Sequence, residues 1–344
     1  QQGFTLIKLD KDTIRLDEVV VSNKLHNTDL EISKMNLTQN SPLREALQRS
    51  TKIRLEGNEI IYNNKLINKI LINKREAFVN HNKVALDEIK ANIIESAEII
   101  DHYDDEFELS FTEKDEAVLN INSKQENLIL PAADIGVGVK NAYKAKGSGF
   151  LFGNFANVSL TTNTNTIENI SVDPKDFNKI MLSSGEISEK QNAIIQQALN
   201  ENKNLNSSFI SNNTLSFHKK NDRFKVGGYL AYHKTAKQLA IYEFLYPSSE
   251  INTPIAQRAV NKRLKMEQLL ISLPIATKIT ATSVAELNTT FSLLSQKSDD
   301  LTAVVLDSVP LERMLHSTYT IQTIYSRFRY QKKVNNSIIL ISST

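Results

Sequence analysis

Two kinds of hydrophobic periodicity divide the chain near residue 125. Before it, short apolar runs alternate with helical spacings. After it, long period-two runs are separated by polar stretches rich in Asn, Ser, Thr and Lys. In the first part Asp17–Ser22 is a β-branched run behind two acidic residues, which predicts an extended segment. Ser41-Pro42 opens a helix, with Ser as N-cap and Pro at the first helical position, and Leu43, Ala46 and Leu47 form its apolar stripe. Runs at Ile53–Leu55, Ile60–Tyr62 and Leu66–Ile72, separated by Gly57-Asn58 and Asn63-Asn64, predict a small antiparallel sheet. Leu86, Ile89, Ile93 and Ala97 predict a helix over Ala85–Ile100, with Ile99-Ile100 also readable as the start of a strand. An acidic loop over Asp101–Glu116 and a strand over Ala117–Ile121 complete this part.

The second part is patterned for strands. Ala133, Ile135, Val137 and Val139 alternate with Asp134, Gly136 and Gly138. Phe150, Phe152, Ala156, Val158 and Leu160 read as one phase, opposite Asn157, Ser159, Thr161 and Asn163. Phe209, Leu215 and Phe217 alternate with polar residues, as do Phe224, Val226, Leu230 and Tyr232. Further strands are predicted at Lys262–Ile275, Ile279–Leu294, Tyr319–Lys332 and Ser337–Ser342, giving eight to ten in all. Lys175–Asn206 is a polar interruption with a short helix over Glu189–Asn200. Several runs exceed ten residues, whereas strands of soluble sheets are typically about five or six. Long strands with polar alternates predict a β-barrel with an apolar exterior and a wet interior. A soluble sandwich or jelly roll is the rival arrangement.

Composition narrows the chemistry. The 344 residues include no cysteine and carry a formal charge of +2. Disulfide scaffolds, thiol nucleophiles and thiolate metal sites are thereby excluded, and the charge gives no reason to expect nucleic-acid binding. No apolar stretch approaches the ~20 residues of a membrane helix, which leaves a membrane barrel open. The six histidines show no H-x-x-x-H or H-E-x-x-H spacing. His102 beside Asp101, Asp104 and Asp105 is the one conceivable metal cluster, with an acidic solvated loop the commoner explanation. Gly136-x-Gly138 opens no helix, and Gly147-Ser148-Gly149 lacks a nucleophile-elbow context. No catalytic residue, cofactor site or metal site is expected. Phe224, Tyr229, Tyr232, Tyr242, Phe244, Tyr246, Tyr325, Phe328 and Tyr330 are candidates for an aromatic girdle or, alternatively, a buried core.

An ordered set of short motifs then carries a resemblance. These are Thr13–Val21, Leu43-Arg44-Glu45-Ala46-Leu47, Ile60–Tyr62 with Asn64–Phe78, Ala85–Asp104, and Ala117–Ile121. In order and spacing they resemble the plug region of TonB-dependent outer-membrane receptors of the Bacteroidota type. The resemblance covers about a third of the chain, and the remainder resembles the family in strand pattern only. It implies a β-dominated fold, a transmembrane antiparallel β-barrel, complete or partial, with an N-terminal α+β plug domain. The implied boundaries are an extension over 1–22, a plug over 23–125 and barrel strands over 126–344. It further implies outer-membrane localisation in a Gram-negative bacterium, contact with outer-membrane lipid, and active uptake of a solute driven by a TonB-type energy-transducing protein. Asp17, Glu18, Val19, Val20, Val21 and Ser22 would be the segment that TonB engages by strand addition. A non-transporting subunit of an assembly, secretion or surface-lipoprotein complex would use the same chassis. Asn64 and Lys74 stand where the family often has glycine. The family's barrels have about 22 strands, so an N-terminal portion of a longer protein is expected.

Overall fold

The computed structural model describes residues 27–32, 35–79, 82–103, 105, 107, 109, 116–153, 155–167, 205–246, 256–306, 309–334 and 337–343. The Asp17–Ser22 segment and the helix expected over Glu189–Asn200 lie outside them. The described chain is mostly β-strand. Its N-terminal domain contains β1 (Asn27–Asp29), α1 (Leu43–Arg49), β2 (Ile53–Glu56), β3 (Glu59–Tyr62), β4 (Lys65–Ile67), β5 (Lys69–Ile72), β6 (Arg75–Val79), α2 (Asn82–Glu88), β7 (Ile94–Ile100) and β8 (Val118–Ser123). Two sheets result, β2-β3-β4 and a mixed sheet ordered β1-β7-β8-β5-β6, in which β5 and β8 run parallel.

Three expectations change here. The helix expected over Ala85–Ile100 ends at Glu88; a 3-10 turn at Ala91–Ile93 leads into β7. Ile94, Ala97, Ile99 and Ile100 are buried there in sheet packing. The single strand expected over Leu66–Ile72 is split at Asn68, so β4 closes the small sheet while β5 joins the mixed one. Helix α1 begins at Leu43, with Pro42 in extended backbone as its capping residue. One apolar core unites these pieces, with Leu43, Leu47, Ile60, Ile67, Ile70, Leu86, Ile99 and Leu119 almost wholly buried. Full burial of each such side chain stabilises by about 1.5–3 kcal/mol.

The hairpin turns need left-handed backbone. Gly57 supplies it between β2 and β3 at φ +63°, but Asn63-Asn64 and Asn73-Lys74 adopt it without glycine. The second of these turns is held from outside. Lys74 N–H donates to Asn120 Oδ1 at 2.8 Å, and Asn73 exchanges side-chain hydrogen bonds with Ser123.

Residues from Leu128 onward form one antiparallel sheet in chain order: β9 (Leu128–Val137), β10 (Tyr143–Phe152), β11 (Asn157–Asn165), β12 (Leu205–Lys220), β13 (Phe224–Leu245), β14 (Ala256–Thr280), β15 (Ser283–Leu306), β16 (Val309–Val334) and β17 (Ser337–Ser343). Among the described residues this sheet has nine strands, against the expected eight to ten. Among the described residues β9 and β17 do not pair, so the sheet is open and not a closed barrel. Closure requires the first and last strands to meet in a consistent stagger.

Its two faces are inverted relative to a soluble sheet. The side that faces the N-terminal domain buries Asn157, Ser159, Thr161, Asn163 and Asn165 on β11, and Ser208, Asn212, Thr214, Ser216 and His218 on β12. The opposite side exposes Leu160, Leu215, Phe217, Leu230, Leu273, Ile275, Leu287 and Phe328. Strand register sets Leu215, Leu230, Ile271, Phe291 and Ile324 side by side in one outward row. Phe150 and Phe152 do not share the phase of Val158 and Leu160. They pair across with Ser159 and Asn157, so they face inward, because the Gly153–Ala156 turn resets the alternation. Tyr229 and Tyr325 likewise pair with inward Ser272 and Thr290 and leave the girdle set, whereas Tyr232, Tyr242, Phe244 and Phe328 remain outward.

A left-handed lysine costs about 1 kcal/mol relative to glycine, less the entropy glycine adds to the unfolded chain. That entropy offsets about 0.4–1 kcal/mol, so Lys74→Gly should stabilise the N-terminal domain by at most about 0.5 kcal/mol, read as a small upward shift in its thermal unfolding.

Candidate functional site

The interface between the N-terminal domain and the inward face of the sheet gathers a cluster of paired charges. Strand β6 lies at one edge of the mixed sheet and touches this face directly. Phe78 packs edge-on against Phe150 and Phe152, with ring centroids 5.4 and 5.7 Å apart. Beside it Arg75 donates to the Gly153 carbonyl at 2.7 Å, and Asn157 Nδ2 donates to the Glu76 carbonyl at 2.9 Å. Leu128, Phe150 and Phe152 belong to the same apolar core as the domain itself, so the two parts share one packed interior.

A charged lock adjoins these aromatics. Lys225, near the start of β13, donates to Glu76 Oε1 at 3.0 Å and to Asp105 Oδ2 at 2.6 Å. Lys220, at the end of β12, reaches Asp105 Oδ1 at 3.4 Å, and His218 Nε2 stands 3.4 Å from Glu76 Oε2. The Lys225 ammonium thus ties two separate parts of the domain, β6 and the loop after β7, to β13, and Lys220 adds a tie to β12 across the Asn221–Arg223 turn. Burial alone would raise the Asp105 carboxyl. The Lys225 ammonium, its hydrogen bond and Lys220 outweigh that and hold Asp105 well below the ordinary range. Glu76 follows the same pattern, with burial opposed by Lys225 and His218 and the net shift downward. Burial, reinforced by Asp105 and Glu76, pushes the Tyr103 phenol upward.

The same loop inserts Phe107 against Ala276 and Val284, with the Lys220 and Lys278 ammonium groups 5.6 and 5.1 Å from its ring centroid. A cavity of about 190 Å³ lies beside it, lined by Glu76, Asp105, Phe107, His218, Lys225 and Asn288 among others. A further contact comes from α2, where Glu88 accepts from Lys146 Nζ and from Ser148 Oγ.

The conceivable metal cluster around His102 is otherwise engaged. Asp101 pairs with Lys65 at 2.9 Å, and Asp105 is bound by the two wall lysines. Among the described residues no group of His, Asp and Glu forms a metal-binding set. Sequence reading did not find the lock. Lys225 could have been flagged as a cation on the inward phase, but its partners lie 149 and 120 residues away.

No protein-family model matches the sequence, and neither does any curated protein. Solved structures that align with the chain include transporters and an uptake receptor. The RagAB peptide transporter aligns at a TM-score of 0.28 and 8% identity, over 88% of this chain and 53% of that chain. The ferric yersiniabactin uptake receptor FyuA from Yersinia pestis aligns at 0.26 and 9%, over 91% and 63%. The ferric citrate transporter FecA aligns at 0.24 and 9%, over 92% and 58%. The chain spans between half and two thirds of the length of these proteins.

Depressed carboxylates stabilise the docked state above their ordinary pKa values, 4.5 for Glu76 and 3.8 for Asp105, and the stabilisation drains as pH falls through the lower folded values. Protease resistance of the N-terminal domain should accordingly hold from neutral pH down to about pH 5 and fall progressively below it. Lys225→Met leaves two carboxylates facing an apolar side chain and should destabilise docking by about 2–4 kcal/mol at neutral pH. The variant's loss of protease resistance on acidification should also be smaller.

Proposed function

We propose that this chain is the N-terminal portion of a TonB-dependent outer-membrane receptor, in which residues 23–125 plug a barrel begun by β9–β17. The observation that carries the reading is the inverted sheet with a folded domain docked on its polar face. On β13–β15 the outward rows from Phe224–Thr277–Ala285 to Tyr232–Leu269–Leu293 are uncharged and mostly apolar over eight residue steps along β13, with Thr289–Ser326 and Gln322 as polar positions within the span. At ~3.4 Å per residue that is roughly 27 Å along the strand, or about 20 Å along the axis at ~40° tilt, comparable with the ~25 Å apolar band of membrane barrels. The next row opens with the Lys234–Glu267 ion pair, where the lipid-facing collar would end. Short turns at Gly153–Ala156, Asn221–Arg223 and Ala281-Thr282 share the end of the sheet at which the domain docks, and the two longest connections between its strands lie at the other end, as expected for periplasmic and extracellular sides. Lipid tolerates no open edge, so the reading includes further strands between β17 and β9.

The order β1-β7-β8-β5-β6 also suits transport driven from the periplasm. Strand β6 carries Glu76 and Phe78 to the wall, whereas β1, next in the chain after Asp17–Ser22, lies at the far edge and pairs with β7 through three residue pairs. A TonB-type protein that adds a strand to Asp17–Ser22 and pulls would peel β1 first. The load then passes to β7 and to the loop that Asp105 fastens to Lys225.

Deletion of Asp17–Ser22 in cells should abolish accumulation of the imported solute while leaving the protein inserted and folded. Uptake at the full rate would overturn the reading.

A further inference from the structure

The cavity beside Phe107 has a specific floor. His218 on β12 lies opposite Gly227 on β13, and Pro274 on β14 lies opposite Asn288 on β15. Strands β13 and β14 pair at Val226–Ile275 and at Tyr229–Ser272 but not between, where Pro274 offers no N–H. Gly227 faces Pro274 across that lapse, and a Cβ added to it would stand 3.1 Å from the proline Cγ. His218, Gly227, Pro274 and Asn288 therefore form one inward row, and all four line the cavity. The two central members give a floor without side-chain donors or acceptors. Phe107, packed on Ala276, gives the aromatic wall that belongs to the N-terminal domain.

The polar members stand at the two ends of this row. Asn288 Oδ1 and His218 Nδ1 are buried without a hydrogen-bond partner among the described residues, and both residues are at least nine-tenths buried. An unsatisfied buried polar group is costly, so such atoms mark places where a bound molecule completes them. Three strand spacings of ~4.8 Å separate the two residues, about 14 Å from backbone to backbone. The charges are already used. Lys225 holds Glu76 and Asp105, and Glu286 pairs with Arg329. An ionised ligand would give up its hydration without a free counter-charge.

We propose that this cavity binds a small uncharged aromatic molecule carrying a hydroxyl at each end of its ring, and that the molecule fastens the Phe107 loop to the sheet. A hydroxyl both donates and accepts, so it serves Asn288 at one end and either tautomer of His218 at the other. The volume of about 190 Å³ exceeds the ~150 Å³ that holds one benzene ring in an engineered protein core. Because the ligand touches Phe107 on one side and β12–β15 on the other, it binds only the docked arrangement and stabilises it by mass action. The proposal uses the docking geometry alone and is independent of what the sheet transports.

The test is equilibrium binding of four probes to the purified chain in detergent, with protease resistance of the N-terminal domain read in parallel. 4-Hydroxybenzyl alcohol should bind at least tenfold tighter than p-xylene and than 4-hydroxybenzoate, with p-cresol between. Its saturation should coincide with a rise in protease resistance. Asn288→Leu should lower its affinity to the level of p-cresol, with docking in the absence of probe retained or strengthened because a buried orphan acceptor is gone. Ala276→Leu, which fills the cavity, should weaken every probe tenfold or more. The proposal is overturned if 4-hydroxybenzyl alcohol does not bind, if p-xylene or 4-hydroxybenzoate binds as well, if the two substitutions leave binding unchanged, or if binding leaves protease resistance unaltered. Such a failure leaves the TonB-driven reading standing, since that reading is tested by uptake and not by this cavity.

Discussion

The placement of polar residues on the domain-facing side of the long sheet, and apolar residues on its opposite side, is the constraint on which everything else depends. A soluble sheet buries its apolar phase against a core. Here the buried phase of β11 is Asn157, Ser159, Thr161, Asn163 and Asn165, while Leu160, Leu215 and Leu230 face outward. Such a sheet gains little from closing on itself in water. It is favourable where the outside is hydrocarbon and the inside is wet or filled by another domain. The N-terminal domain supplies part of that filling, and its own core is continuous with Phe150 and Phe152 of the sheet.

Adhesion between the two parts combines an apolar and a charged component with different physical character. The Phe78–Phe150–Phe152 cluster is insensitive to pH and salt. The Glu76–Asp105–Lys220–Lys225 cluster is directional, and each partner is expensive to bury alone. Because Lys225 bridges β6 and the loop after β7, the lock also resists shear between two elements of the domain. Strand β1 takes no part in it. The domain is therefore fastened firmly at one edge and weakly at the other, which is the asymmetry a pull from the N-terminus would use.

Much of this was legible in the residues. Strand length, the short turns and the order of elements followed from period-two alternation and from Gly, Asn and Pro positions. The losses had local causes. Ile89, Ile93, Ile94 and Ala97 fit a helix, and the register irregularity between Ile94 and Ser96 hides the alternation of β7. The turn at Gly153–Ala156 reverses the phase between Phe152 and Asn157, so a run that reads as one face is two. At the site, the inward Lys225 was visible as a cation on a strand, but nothing local names Glu76 and Asp105 as its partners.

The absence of native cysteine makes the two faces directly addressable with single-cysteine spin labels in lipid bilayers. Labels at Ile271 and Phe291 should be relaxed by oxygen dissolved in the bilayer and shielded from a water-soluble paramagnetic agent. Labels one residue away, at Leu270 and Ser292, should escape the bilayer's oxygen. Equal accessibility at the two parities, or exposure of Ile271 and Phe291 to water, would contradict a lipid-facing outer surface and with it the proposed function.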